Sequence, residues 1–250
     1  MRTNQTCPKY VKEERVVPKC RNCGSTLHNI SKCQEVCGHC KGKGHIKNTC
    51  MIDRYTKEVL ISRFHTYIKR HNEDLAFNAE HAVRIRSANP PEDITENIVK
   101  EVLNRLGQQC VWCKGVGADL SGDLYETVKG LVKEVKAFTS DGPSSFGPKK
   151  IFDLMYFLDL RRIFDPVNPI LVLWEVNLSN RSEAWKSIQM NSDESFENKT
   201  TNGNRPHIAW ESIKAQIDES SPGTIKMLYE GSFEDIFTKP EPATAPVSLQ

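Results

Sequence analysis

Long apolar runs are missing from this chain of 250 residues; stretches such as Ile170 to Trp174 are no longer than a β-strand. A helix needs about 20 consecutive apolar residues to cross a bilayer, so no membrane-spanning segment is expected. The opening residues carry no apolar stretch of the kind that directs secretion, which sets the expectation of an intracellular protein, nuclear or cytoplasmic. In that reducing setting the nine cysteines are not expected to pair as disulfides. Strong net charge is also missing, since 34 Lys and Arg stand against 32 Asp and Glu, for +2 overall. That balance hides a division. Residues 1–72 carry 15 basic and 5 acidic side chains, the remainder 19 and 27. A basic arm on an acidic body points to phosphate as the partner of the arm. The acidic body either holds carboxylates for a separate purpose or is charged only for solubility.

Six of the nine cysteines fall in a tandem pattern: Cys20-x2-Cys23-x4-His28-x4-Cys33, then Cys37-x2-Cys40-x4-His45-x4-Cys50, with three residues between. Three thiolates and one imidazole at these spacings close a tetrahedral Zn²⁺ site within a segment too short to build a core of its own. Two structural zinc ions are therefore expected, and metal binding would fold the region. His39 lies inside the second run, but the spacing favours His45 as its ligand. The pattern resembles the CCHC zinc knuckle of retroviral nucleocapsids and cellular single-strand-binding proteins, which implies a nucleic-acid partner, at least partly single-stranded. Knuckles of that family often place an aromatic after the first Cys to stack on a base. Here those positions are Arg21 and Gly38, so phosphate contact through Arg21, Lys32, Lys41, Lys43 and Lys47 is the expected mode.

The chain divides on paper into a basic lead-in (1–19), the zinc pair (20–50), a helical connector (51–89), a main domain (90–232) and a proline-containing disordered tail (233–250). A helical stripe runs from Ile52 to His71, and a weaker one from Asp74 to Arg86. After Asn89-Pro90-Pro91, Asp93-Ile94-Thr95-Glu96 opens another helix that Gly107 stops. Candidate strands follow at Gly117–Ser121, Gly130–Thr139, Phe152–Leu160 and Ile170–Leu178, the last two paired through the Arg161–Pro169 loop. Helices are expected at Glu183–Gln189 and Trp210–Ile217, with Trp185 and Trp210 in the core.

The second chemical signal is Asp119 followed by Glu134-Val135-Lys136. A bare Glu-x-Lys triplet means little, and Glu197-x-Lys199 is another. Glu134, however, sits in the apolar run Leu131-Val132-Lys133-Glu134-Val135-Lys136-Ala137-Phe138. Alternation along a strand puts Glu134 and Lys136 on one face, where burying both is costly unless they bind something. The order helix, Asp, Glu-x-Lys strand resembles the PD-(D/E)xK nuclease superfamily, over roughly residues 93–180. That resemblance implies an α/β restriction-endonuclease-like fold, a mixed sheet flanked by helices. It further implies Mg²⁺ held by Asp119, Glu134 and the carbonyl of Val135, with Lys136 acting on the attacking water. Ala118 stands where the family usually has Pro. Asp123 can replace Asp119 if the turn lies elsewhere, and Glu101 on the preceding helix is a further acid to consider. The plain alternative is a β-hairpin with surface ion pairs.

Cys110-x2-Cys113 has the spacing of half a zinc site, but lacks partners and reads as a pair of buried thiols. The loop Ser140–Lys150, with its basic end, is either a connector or a contact for the substrate backbone. The leading expectation is a Mg²⁺-dependent endonuclease acting on DNA, less so RNA, held by its zinc modules; nucleases of this fold often act as homodimers. The rival is a non-catalytic adaptor that binds single-stranded RNA or DNA through the knuckles.

Overall fold

The computed structural model describes residues 50–84, 89–116, 120–143, 150–186, 188–190, 195–197 and 208–238. The chain separates into two compact units, residues 1–50 and 51–250. All described residues except Cys50 belong to the second, and the zinc pattern lies outside them apart from that one cysteine. No helix among the described residues is long and apolar enough to cross a membrane.

The second unit opens with helix α1 (Lys57–His81), whose first turn is capped by Thr56 Oγ1 accepting from Val59 N–H at 3.4 Å. Two separate helices were expected here. One forms, because nothing between His71 and Asp74 breaks the backbone, and Ala82 in the left-handed region ends it. Helix α2 (Glu92–Arg105) follows Pro91 and carries Glu92 and Asp93 in its first turn, where they suit the positive end of the helix dipole. Strands β1 (Cys110–Trp112), β2 (Leu124–Glu126), β3 (Leu131–Phe138), β4 (Leu154–Asp159), β5 (Leu171–Val176) and β6 (Ile225–Gly231) form one sheet in sequence order. Only β3 and β4 run parallel; every other neighbouring pair is antiparallel. Helices α3 (Glu183–Lys186) and α4 (Trp210–Ser220) lie between β5 and β6, and α5 (Asp235–Thr238) closes the unit. This is a mixed sheet with helices on both sides, the restriction-endonuclease-like architecture that the resemblance implied.

Strand alternation divides the apolar side chains into two clusters. One joins Val135, Tyr156, Leu158, Leu171 and Leu173 to Leu60 and Phe64 of α1, to Ile94, Ile98 and Leu103 of α2, and to Phe233 and Ile236. The other joins Phe138, Met155, Phe157 and Val176 to Trp185, Trp210, Ile213 and Ile217, so both tryptophans are core residues. The β3, β4 and β5 expectations hold, including the β4–β5 pairing. Leu120 and Ser121 lie outside any strand, and β2 begins at Leu124. Burial of Phe233 and Ile236 carries ordered structure to Thr238, past the point where a disordered tail was expected to begin.

The segment before α1 is bolted to α2 and β1 by one carboxylate. Asp53 Oδ2 accepts from Lys100 Nζ at 3.0 Å and from Trp112 N–H at 3.1 Å, while its Oδ1 takes Tyr55 N–H at 2.8 Å. Lys100 also donates to the Tyr55 carbonyl at 2.8 Å. These bonds fix the sheet edge against α2, and it is there that the acidic residues gather.

Candidate active site

The β2–β3 hairpin sets the geometry. Leu124 pairs with Lys133, so the antiparallel register puts Asp123 opposite Glu134. Asp123 N–H donates to the Lys133 carbonyl at 3.1 Å, and Val135 N–H donates to Asp123 Oδ2 at 2.9 Å. A side-chain carboxylate thus stands where a longer β2 would offer a main-chain carbonyl. The preceding residue permits this bend. Gly122 has φ +82°, and a Cβ there would lie 2.5 Å from Val132 Cγ1, so glycine is required both by conformation and by space.

Glu134 is fully buried. Its Oε1 accepts from Lys136 Nζ, which also donates to the Val135 carbonyl at 3.1 Å. Lys150 Nζ lies 3.9 Å from the same Oε1, placing the basic end of the Ser140–Lys150 loop beside the acid. Glu134 Oε2 is buried without a hydrogen-bond partner. Burial pushes the Glu134 carboxyl above its ordinary range; Lys136 opposes that rise and the Asp123 charge adds to it. An acid held this way gains from a cation that its own lysine does not fully replace.

A third acid comes from α2. Glu96 is buried, with Oε2 accepting from Trp112 Nε1–H at 2.5 Å and Oε1 accepting from Lys114 Nζ at 2.9 Å. Burial first, and the Asp123 charge second, push its carboxyl up to about 7. Asp123 therefore acts electrostatically on both glutamates. Glu101, the helical acid considered from sequence, instead pairs with Lys100 at 3.3 Å.

Of the expected site residues, Glu134, Val135 and Lys136 come together, while Asp119 lies outside the described residues, as do Arg21, Lys32, Lys41, Lys43 and Lys47. Among the described residues, no three His, Cys, Asp or Glu groups are drawn close enough to hold a metal ion as they stand. The donor set still suits one: Asp123 and Glu134 are hard oxygen donors, and one buried oxygen is unsatisfied. Cys110 and Cys113 are buried, and burial pushes their thiols up to about 11 and about 12, as expected of inert thiols.

Residues 58–218 match the family of the Bsp6I restriction endonuclease. The chain belongs to that family. The match starts at the second residue of α1 and ends inside α4, so it includes Glu96, Asp123, Glu134 and Lys136. As a member of the Bsp6I restriction endonuclease family, the chain is a DNA-cleaving nuclease. No curated protein matches it.

Proposed function

We propose that this Bsp6I-family chain hydrolyses DNA phosphodiesters at a Mg²⁺ centre held by Asp123, Glu134 and the carbonyl of Val135, with the N-terminal arm gripping the substrate through two zinc-closed modules. The observation that carries the reading is the pairing of Asp123 with Glu134 across the hairpin, beside a buried Glu134 oxygen that has no partner. Asp123 takes the part first given to Asp119, a choice supported by its place across the hairpin from Glu134.

Mg²⁺ bound at these oxygens would supply Lewis-acid charge for the phosphate and lower the pKa of a coordinated water. The protein side chains supply the rest. Lys136, tied to Glu134 Oε1 and the Val135 carbonyl, presents an ammonium that orients the attacking water or offsets charge developing on the phosphate. Lys150, with its side chain 60% exposed, is placed to meet a backbone oxygen of the substrate. Glu96 holds a proton near neutral pH and takes part in acid–base traffic once DNA excludes water. In the arm, Cys20, Cys23, His28 and Cys33 would close one zinc site, and Cys37, Cys40, His45 and Cys50 the other. Arg21, Lys32, Lys41, Lys43 and Lys47 then meet phosphates, raising the local concentration of substrate at the cutting site. One hydrolytic centre cuts one strand, so double-strand cleavage calls for two chains.

The test compares wild-type protein with Glu134→Ala, Asp123→Asn and Asp119→Asn on labelled duplex and single-stranded DNA and RNA, with Mg²⁺ or with chelator. Metal-dependent cutting of DNA that E134A and D123N abolish and D119N retains supports the reading. Loss with D119N and retention with D123N would return the role to Asp119. Binding without cutting under every condition would favour the adaptor. Zinc content of about two per chain tests the arm.

A further inference from the structure

Lys114 has no part in the reading above beyond its bond to Glu96, yet its surroundings are those of a ligand-binding cation. Its backbone is fixed on a tight turn after β1. Gly115 N–H and Val116 N–H both donate to the Trp112 carbonyl, at 3.0 and 3.2 Å. A Cβ at Gly115 would stand 2.5 Å from Asp53 Oδ1 and from Trp112 Cε3. The side chain, by contrast, reaches outward and is 47% exposed. Its Nζ bridges two carboxylates of unlike character. Glu96, at 2.9 Å, is buried, whereas Glu92, at 2.7 Å, is 80% exposed at the start of α2.

The turn that carries Lys114 is joined to the proposed metal ligand, since Cys113 N–H donates to the Asp123 carbonyl at 3.0 Å, and Glu92 pairs with that lysine. Its carboxyl is held below the usual range by Lys114 first, and then by the fields of Lys136 and Lys150. Three lysines on three different segments thus converge electrostatically on one solvated carboxylate. An ion pair between two exposed groups contributes little to folding, so stability does not account for the convergence. What an anionic oxygen gains from three ammonium groups at the rim of a phosphodiester-cutting site is what a backbone phosphate would gain.

We infer that Lys114 contacts a DNA backbone phosphate, and that the Glu92 carboxylate holds the place of that phosphate in the DNA-free protein. This rests on the proposed location of the hydrolytic site. On binding, Lys114 exchanges a carboxylate for a phosphate without backbone movement, and Glu92 swings into solvent. Glu92 is therefore a built-in competitor that weakens non-productive binding.

The experiment measures affinity of the full chain for a mixed-sequence DNA duplex across a salt series, in a Glu134→Ala background so that nothing is cut. Adding Lys114→Ala should weaken binding several-fold and reduce the salt slope by about 0.9, the value for one phosphate contact. Lys114→Arg should keep the slope. Glu92→Gln should tighten binding several-fold at low salt, with the gain disappearing at high salt. An unchanged slope in K114A, or no gain in E92Q, would overturn the inference, and E92Q alone decides if K114A does not fold. The nuclease reading fails separately, if wild-type protein with Mg²⁺ cuts no DNA.

Discussion

Strand β3 carries two lysines on opposite faces, each paired with a glutamate, Lys133 with Glu126 of β2 and Lys136 with Glu134 of β3 itself, and the pairs have opposite fates. On one face Lys133, fully buried, lies 2.9 Å from Glu126 Oε2, donates to Gln108 Oε1, and donates to Tyr156 Oη at 3.2 Å. Tyr156 in turn donates to Glu175 Oε2 at 2.8 Å, so the cluster is knitted across three further strands. On the other face Lys136, partly exposed, meets Glu134 and leaves Glu134 Oε2 alone. The acids record the difference. Burial raises both, but Lys133 and Lys129 overcome it for Glu126, whose carboxyl ends below its usual range. At Glu134 burial and Asp123 prevail over Lys136, and its carboxyl ends above. Neither Glu126 Oε2 nor Glu134 Oε2 accepts a hydrogen bond, but a lysine stands within ion-pair distance of each Glu126 oxygen, making a closed structural cluster. At Glu134 both Lys136 and Lys150 meet Oε1, and Oε2 has neither a hydrogen bond nor an ion pair, which makes it the candidate site.

Substitutions can sharpen that contrast, beginning with the largest effect. Glu134→Ala should lower the DNA cleavage rate by about 10³-fold or more if the proposed metal centre is right, since losing a ligand forfeits several kcal/mol of transition-state stabilisation; single-turnover cleavage measures it. Lys133→Met should leave cleavage chemistry untouched but cost about 3 kcal/mol of stability in urea denaturation, because the buried Glu126 keeps only the exposed Lys129, 3.5 Å from its Oε1. The double variant K133M/E126L should recover most of that loss. A failure to recover would mean the network does more than answer its own charges.

The pH dependence comes next. Glu96 titrates near 7 in the folded chain against an ordinary value of 4.5. The folded state therefore holds a proton that the unfolded state has lost, and this contribution to stability is full below pH 4.5 and lost as pH rises through about 7. The loss amounts to roughly 3 kcal/mol. Melting temperature without added Mg²⁺ should fall across that window in wild-type protein and fall less in Glu96→Gln. The smallest effect is the sharpest comparison. Glu126→Gln should destabilise by about 2 kcal/mol, while Glu134→Gln should stabilise the Mg²⁺-free chain by about 1 kcal/mol and abolish cleavage. Two equal signs would break the distinction drawn between the pairs.

Strand β3 was legible because its apolar run is bounded by Gly130 and its acid and base share one face. The fold class followed from that strand and the helix before it. The position of the partner acid was less legible. The proposed choice of Asp123 over Asp119 depends on where the chain turns into β2, and the turn at Gly122 has a positive φ and no room for a Cβ beside Val132, which no periodicity reveals. Glu96 was missed for another reason. Residues 94–100 of α2 are buried all round the helix, so no amphipathic stripe separates the inward acid from a solvated one. Sequence reasoning stopped at Glu101, which faces Lys100. Strands β1 and β6 were also missed: the first has only three residues, and the second, with Met227 47% exposed, is an edge without strict alternation.

The stacking of Phe64 on Phe233, with ring centres 3.7 Å apart and planes within 17°, joins the first helix of the unit to its last segment. Arg105 Nη1 donating to the Asp235 carbonyl at 2.5 Å ties the second helix to the same place. During synthesis the opening helix can pack on α2 first, but the face around Phe64 stays uncovered until the Phe233 segment emerges, since contacts of such long sequence separation form late. A ribosome-bound fragment lacking that stretch therefore carries the candidate site on a core that is still open to water on one side.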